Sequence, residues 1–264
     1  MAMRPPCGHV VEDWQMTFPR ITHVDATGST NQDVLAVLDA EAWPHLSVLV
    51  ADSQVAGRGR AGAQWVTSPG RALTCSVVID PESVPQLPLT WLPLAVGLAV
   101  REAAAPWISS HLKWPNDVVA DAHSPDPAWG WGPKIAGILC ERHPSGAIVA
   151  GIGVNCLRAE FPVPWAASIE ELAPHAPHPR ELLTRVGEAL AVTLAVPPPR
   201  LRAQYEAAST VVGQNVTVSV PGGQVLSGDV IGIDEDGALL LRTESGRVRV
   251  TAGEARRVRG TNFM

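Results

Sequence analysis

Apolar positions come in short runs separated by polar, glycine-rich or proline-rich breaks, and their spacing changes along the chain. Residues 21–24 predict a short strand. Thr27-Gly28-Ser29-Thr30-Asn31-Gln32 follows, where Ser29, Thr30 or Asn31 caps a helix with apolar positions at Val34, Leu35, Val37 and Leu38. Residues 46–51 and 72–79 are apolar runs that suit buried strands, the second entered through a Ser68-Pro69-Gly70 turn. Residues 89–105 suit a long apolar helix, and 111–119 read as strand and turn. A loop rich in Pro, Gly and Trp over 121–133 leads into two antiparallel strands, 135–141 and 147–154. Helical spacing returns over 181–194 and is stopped by Pro197-Pro198-Pro199.

From about Gly213 the runs become short and alternating: 216–220, 225–231, 239–242 and 248–250. Turns at Pro221-Gly222-Gly223, Asp236-Gly237 and Ser245-Gly246 separate them. Some fifty residues of this texture predict a small closed or half-closed barrel. The pattern divides the chain into an irregular segment 1–19, an α+β unit 20–210 with a central, mostly antiparallel sheet flanked by helices, and a β-module 211–264.

Composition narrows the class. At 46% hydrophobic and 17% charged residues the chain lies far from disordered sequences. Its most apolar stretch, 92–100, is about half a bilayer span and is followed by Arg101 and Glu102, so no membrane segment is expected. The N-terminus lacks an apolar run behind its basic residue, so no secretory signal is expected and a cytoplasmic location follows. Cys7, Cys75, Cys140 and Cys156 show no CxxC spacing and read as reduced, and no His/Cys metal site is expected. A formal charge of −6 argues against a whole-surface nucleic-acid binder. Of the 20 basic residues only Lys113 and Lys134 are lysines, which singles out these two positions for an ammonium.

Gly57-Arg58-Gly59-Arg60-Ala61-Gly62 matches the GxGxxG pattern of dinucleotide sites. That reading needs a helix starting inside the motif, and residues 63–67 run instead into Ser68-Pro69-Gly70. No GxxxxGK[ST] is present. What remains is a loop whose glycines expose backbone N–H groups and whose two guanidiniums offer forked donors, the chemistry of a polyanion site. A solvated surface turn is the alternative. Residues 56–64 are expected to be mobile without ligand and to order when an anion arrives, because two mutually repelling arginines hold a glycine-rich loop poorly.

Gln54 and the loop Gly57 to Gly62 with Trp65, then Lys113-Trp114-Pro115-Asn116-Asp117, Lys134-Ile135-Ala136-Gly137-Ile138-Leu139 and Gly151-Ile152-Gly153-Val154-Asn155, resemble the biotin protein ligases, and Ser29-Thr30-Asn31 matches that family's opening motif. The resemblance spans residues 27–155 and continues more weakly to the C-terminus, where it implies an SH3-like barrel beside a class II synthetase-like catalytic domain. It implies a two-step reaction: biotin and Mg-ATP give biotinyl-5′-adenylate and pyrophosphate, and biotin then passes to a lysine of a biotin carboxyl carrier domain of a biotin-dependent carboxylase.

The resemblance also implies site residues. Lys134, Arg60, Arg58 and Asp117 carry the catalysis. Ser29, Thr30, Asn31, Gln54, Gly57, Arg58, Gly59, Arg60, Lys134, Gly137, Gly151 and Asn155 surround biotin. Arg60, Gly62, Lys113, Asn116, Asp117, Lys134 and Trp165 surround the nucleotide, with Asp117 a candidate Mg²⁺ ligand or acceptor of the amine proton. Lys113 either touches phosphate or pairs with a carboxylate. Trp65 packs to anchor the arginine loop, Trp165 covers adenine, and Trp129 and Trp131 precede Lys134. Ala61 and Ala63 stand where many relatives carry a basic residue, which implies weaker closure. Six arginines from Arg242 to Arg259 make the last strands basic, as a solvated face or toward phosphates or an acidic carrier. No DNA partner is expected, because the DNA-binding domain of bifunctional members has no counterpart here, and the chain is expected to be a monomer or weak homodimer. The rival readings are a lipoyl or octanoyl transferase of the same superfamily and a non-catalytic regulator that binds biotin or its adenylate.

Overall fold

The computed structural model describes residues 17–124, 126 and 129–257. Most of the irregular segment 1–19, together with Cys7, Arg259 and the last residues of the β-module, lies outside the described residues.

Seven strands form the main sheet: β1 (Ile21–Thr27), β2 (Val48–Gln54), β3 (Ala72–Ile79), β4 (Ser110–Lys113), β5 (Asp117–Ala120), β6 (Lys134–Arg142) and β7 (Ile148–Asn155). Their order is β1-β2-β3-β7-β6-β5-β4, with β1 and β2 parallel and every other pair antiparallel. Helix α1 (Thr30–Val37) lies on one face, where Val34 packs with Leu49, Val78 and Val149. The other face is covered by α2 (Leu92–Ala104), α4 (Pro179–Leu194) and α5 (Pro198–Ala208), whose apolar sides merge with Val48, Cys75, Val77, Ile138 and Ile152. Both faces of β3 are therefore buried, which is why its run of eight residues shows no alternation.

Two helices and one cap differ from the periodicity. The Pro197-Pro198-Pro199 run does end α4, yet Pro198 and Pro199 also open α5, because a proline's missing N–H costs nothing in a first helical turn. A short helix, α3 (Ile169–Leu172), is held by a capping box between Ser168 and Glu171. Ser29 occupies the N-cap of α1 but makes no side-chain cap bond; the Gln54 Oε1 accepts the Thr30 N–H instead, at 2.8 Å.

The C-terminal module is a five-stranded antiparallel sheet of β8 (Asn215–Ser219), β9 (Val225–Ile233), β10 (Leu239–Thr243), β11 (Gly246–Val250) and β12 (Glu254–Arg257), in the order β11-β10-β9-β8-β12. Strand β12 was not legible because only Ala255 of its four residues is buried. Among the described residues no ladder joins β11 to β12. The module shares one apolar core with the main domain. Trp91 meets Tyr205 edge-on at 5.9 Å and donates to Glu235 O at 2.7 Å, while Trp114 donates to Gly237 O at 3.1 Å. Docked this way, the β8–β9 turn and Gly253-Glu254 reach the open end of the main sheet. The basic strands of this module are mostly exposed, and Arg249 is tied to Asp234 and Asp236.

Candidate active site

Strand pairing lines up one transverse row of residues across the main sheet. Lys113 opposes Asp117, Asp117 opposes Gly137, Gly137 opposes Gly153 and Gly153 opposes Thr74. Directly opposed residues project from the same face, so two charged side chains, two glycines and a hydroxyl form one strip on the α1 side of the sheet. The strip is the floor of a cleft of about 570 Å³.

Trp65 fills the gap that the glycines leave. A Cβ on Gly153 would stand 2.3 Å from the Trp65 ring and one on Gly137 would stand 3.2 Å from it. Trp65 roots the arginine hairpin, its ring packed on the glycine floor while its backbone N–H donates to Gly57 O at 2.9 Å and the Gly59 N–H donates to Ala63 O at 2.7 Å. The packing role expected for Trp65 is thus observed. Gly57 does not line the cleft: a Cβ there would lie 2.2 Å from Trp65 O, so this glycine serves the hairpin's closure. Gly62 lies outside the cleft as well, at a left-handed turn with φ +79°.

At one end of the floor is a buried polar pocket. Ser29, Thr30 and Asn31 are each less than 7% exposed. Gln54 Oε1 accepts from both the N–H and the Oγ1 of Thr30, and Ser76 Oγ lies 2.7 Å from Thr30 Oγ1 and 2.6 Å from Asn31 Oδ1. Thr74 Oγ1, buried on the floor, has no partner among the described residues. Gly151 belongs to the same pocket, since a Cβ there would meet Asn31 Oδ1 at 2.6 Å. Asn155 lines the cleft on the other side of Gly153, toward Lys134, donating to Ala167 O at 3.1 Å.

The other end is ionic. Asp117 Oδ1 takes the Lys134 ammonium at 2.6 Å and Oδ2 takes the Lys113 ammonium at 3.3 Å. Burial pushes the Asp117 carboxyl up, but Lys134 and Lys113 together outweigh it and hold the group below the usual carboxylate range. Burial draws Lys113 down, offset in part by Asp117, and the ammonium also sits 4.5 Å over the Trp129 ring. At 1% exposure Lys113 takes the carboxylate-pairing alternative of the two roles open to it. Asp117, with both oxygens in ion pairs, is a poor acceptor for an amine proton. Nor do the residues fit a resident divalent cation at Asp117, which would have to displace an ammonium. Among the described residues the His/Asp cluster able to share an ion, His23 with Asp25 and Asp52, is exposed and outside the cleft.

The depressed Asp117 pKa has a signed consequence. Its contribution to stability is fully present above the unfolded value of about 4 and is lost as pH falls through the lower folded value. Asp117→Asn is expected to remove part of the acid limb in a plot of Tm against pH, while a limb unchanged from the parent protein would deny that these ion pairs matter to folding.

The hairpin supplies the remaining cations. Arg60 reaches Asn116 Oδ1 at 3.3 Å and Gly253 O at 3.4 Å, drawn down by burial and supported by the charges of Asp117 and Glu254. Asn116 is fixed by donating from Nδ2 to Ile138 O at 2.8 Å. Arg58 also borders the cleft but pairs with Glu141 at 3.3 Å, so the two guanidiniums diverge. Trp165 stacks on Trp129 with ring centres 5.3 Å apart, the two rings lining the cleft near Lys134, whose N–H donates to Trp165 O at 2.7 Å. Trp131 is buried away from the cleft.

The structure therefore brings Ser29, Thr30, Asn31, Gln54, Arg58, Gly59, Arg60, Lys113, Asn116, Asp117, Lys134, Gly137, Gly151, Asn155 and Trp165 to one cavity, and leaves Gly57 and Gly62 behind it. Sequence reasoning missed Thr74 and Ser76, whose only signal is the placing of hydroxyls inside an apolar strand. It also missed Glu254 and residues 219–221 of the C-terminal module, for which the sequence holds no local signal. Cys75 borders the cavity, but burial pushes its thiol up to about 12 and leaves it inert as a nucleophile.

Fixed cations at one end of a cleft and a buried polar pocket at the other suit an enzyme whose ligands carry anionic groups at one end and a compact polar head at the other. The Biotin/lipoate A/B protein ligase family matches residues 24–157, and the Biotin protein ligase C terminal domain matches residues 211–255. The chain is 37% identical over 241 residues to the Biotin--[acetyl-CoA-carboxylase] ligase of Mycobacterium tuberculosis, covering 88% of this chain and 86% of that protein. It is 31% identical over 255 residues to the enzyme of the same name from Paracoccus denitrificans, covering 86% and 96%. A solved biotin protein ligase from Aquifex aeolicus in complex with biotin and ATP superimposes with a TM-score of 0.74 at 26% identity, over 91% of this chain and 100% of that one. The chain belongs to the biotin protein ligase family.

Proposed function

We propose that the chain joins biotin to ATP as biotinyl-5′-adenylate and transfers the biotinyl group to a lysine of a carboxylase's biotin carboxyl carrier domain. The observation that carries this reading is the placing of the Lys134 ammonium, braced by Asp117 at 2.6 Å, in the same cleft as Arg58, Arg60 and the Ser29–Asn31 pocket.

In the first step a carboxylate oxygen of biotin attacks the α-phosphorus and pyrophosphate leaves. Two anions must meet, so positioned cations lower the barrier by spreading the charge that grows on the phosphoryl oxygens. Lys134 serves the carboxylate and the α-phosphate, and its compact ammonium has donors left after one goes to Asp117. Arg60 and Asn116 face the phosphate end, Arg58 closes from the hairpin, and Lys113 acts by holding Asp117. Gln54, Ser29, Thr30 and Asn31 pair the donors and acceptors of the ureido head, which a buried pocket accepts only when they are satisfied. Trp165 offers a flat face to adenine. In the second step the carrier's neutral amine attacks the acyl carbon, the acyl C–O bond to the phosphate breaks, AMP leaves with the bonding electrons, and the proton lost by the amine passes to solvent.

The reading treats residues 20–210 as the catalytic unit and the module from 211 as a cap contributing Glu254 and Gly253. It extends to a cytoplasmic monomer or weak homodimer without a DNA partner. Among the described residues no helix is long and apolar enough to cross a membrane. The deciding experiment incubates the protein with ATP, Mg²⁺, an apo carrier domain and either biotin or lipoate. A carrier mass gain of one biotinyl group is expected with biotin alone; lipoylation without biotinylation, or no pyrophosphate release with biotin, would overturn the reading.

A further inference from the structure

The hydrogen-bond chain of the polar pocket does not end at Asn31. Its Oδ1 faces Ser76, while its Nδ2 donates to Leu139 O at 3.1 Å and to Glu141 Oε2 at 2.8 Å. The second oxygen of Glu141 takes Arg58 NH1 at 3.3 Å. One carboxylate thus joins a buried amide of the head pocket to a half-exposed guanidinium of the arginine hairpin. Glu141 lies on β6 two residues beyond Leu139, on the same side of the strand as Gly137, and borders a second cavity of about 400 Å³ on the far side of the hairpin.

Two physical consequences follow. An asparagine side chain has nearly the same shape in its two amide orientations, so its neighbours choose between them. A carboxylate and a backbone carbonyl only accept, so Glu141 together with Leu139 O holds Nδ2 toward β6 and leaves Oδ1 facing Ser76 and the pocket. Arg58, for its part, stands on the same hairpin as Arg60; Asp117 and Glu254 offset Arg60, whereas the carboxylate that pairs with Arg58 is Glu141. Glu141 supplies a counter-charge at the rim, and a charge-assisted hydrogen bond is stronger than a neutral one.

We propose that Glu141 is a positioning residue for the ligase reaction: it sets the amide of Asn31 for the biotin head and holds Arg58 at the rim of the cleft, coupling the head pocket to the hairpin. This rests on the biotin-ligase reading above.

The test measures biotin Kd by calorimetry and the rate of proteolytic cleavage within residues 56–64, in the parent protein, Glu141→Ala, Glu141→Gln, Asn31→Ala, Arg58→Ala and the double variants Glu141→Ala/Asn31→Ala and Glu141→Ala/Arg58→Ala. Glu141→Ala is expected to weaken biotin binding about tenfold and to speed hairpin cleavage. Glu141→Gln, whose amide oxygen still accepts from Asn31 but whose NH₂ then faces Arg58, is expected to keep biotin affinity within about threefold while still speeding cleavage. On the Asn31→Ala background, Glu141→Ala is expected to cost biotin affinity less than about threefold, because the partner is already gone. On the Arg58→Ala background it is expected to add little to hairpin cleavage. Effects that persist undiminished in both double variants would overturn the proposal, as would parent-like biotin affinity and cleavage in Glu141→Ala. If Glu141→Ala fails to fold, Glu141→Gln decides: parent-like cleavage in that variant counts against the proposal. A parent protein that binds no biotin refutes the ligase reading itself.

Discussion

Lys134→Ala is expected to cut biotin-dependent pyrophosphate release by about 10²–10³-fold, the cost of removing one preorganised donor from a developing anionic centre. The size follows from position. Lys134 is the cation of the cleft that Asp117 braces at 2.6 Å, and it lies at the junction between the ionic end of the floor and the glycine pair, where the proposed reaction would bring a carboxylate and a phosphate together. Arg60 and Arg58 remain in the variant, but Arg60 is committed to Asn116 and Gly253, and Arg58 to Glu141. Lys134→Arg is expected to restore little, because a planar fork cannot take the place of a compact ammonium beside Asp117. Folding is expected to survive in both variants, since Asp117 keeps its second ion pair with buried Lys113. Single-turnover pyrophosphate release, read beside thermal unfolding, checks the point. Parent-like turnover in Lys134→Ala removes this lysine from the chemistry.

The second large effect is expected from a single methyl group. Gly153→Ala places a Cβ 2.3 Å from the Trp65 ring, with further ring atoms at 2.5 and 2.6 Å, and a rigid indole has no flexible end that can yield. Overpacking of this kind costs about 1–3 kcal/mol. At about 2–4 °C per kcal/mol for a domain of this size, a Tm drop of a few degrees is expected. The loss of activity is expected to be larger than the loss of stability, on the order of 10²-fold, because Trp65 roots the hairpin that carries Arg58 and Arg60. Gly28→Ala makes the control: a Cβ there meets nothing within 4 Å, so its Tm is expected to be unchanged. A Gly153→Ala protein with parent-like Tm and turnover would show that Trp65 is free to move off the glycine floor without consequence.

Much of this site was legible before any coordinates. A helix N-terminus with Ser29, Thr30 and Asn31, a glycine-arginine loop and two isolated lysines are local features, and local chemistry is what a linear pattern preserves. The strands followed too, since burial on one or both faces leaves a mark in every run of apolar residues. Less was legible where a residue's meaning depends on a distant partner. Glu141 reads as an exposed strand residue until Asn31 and Arg58, 110 and 83 positions away, are seen to meet it. Tri-proline reads as a stop, and is also a start, because the same missing N–H suits both.

The sequence by itself determined which chemical groups this protein owns and on which elements they ride: cations on a hairpin and two strand ends, hydroxyls and amides at the head of a helix. Only the tertiary structure decided that Lys113, Asp117, Gly137, Gly153 and Thr74 fall into one row across five strands, and that the row is roofed by Trp65. The reason is register. Antiparallel pairing fixes which side chains share a face, and a shift of one residue in any of these strands would turn its contribution to the opposite side of the sheet.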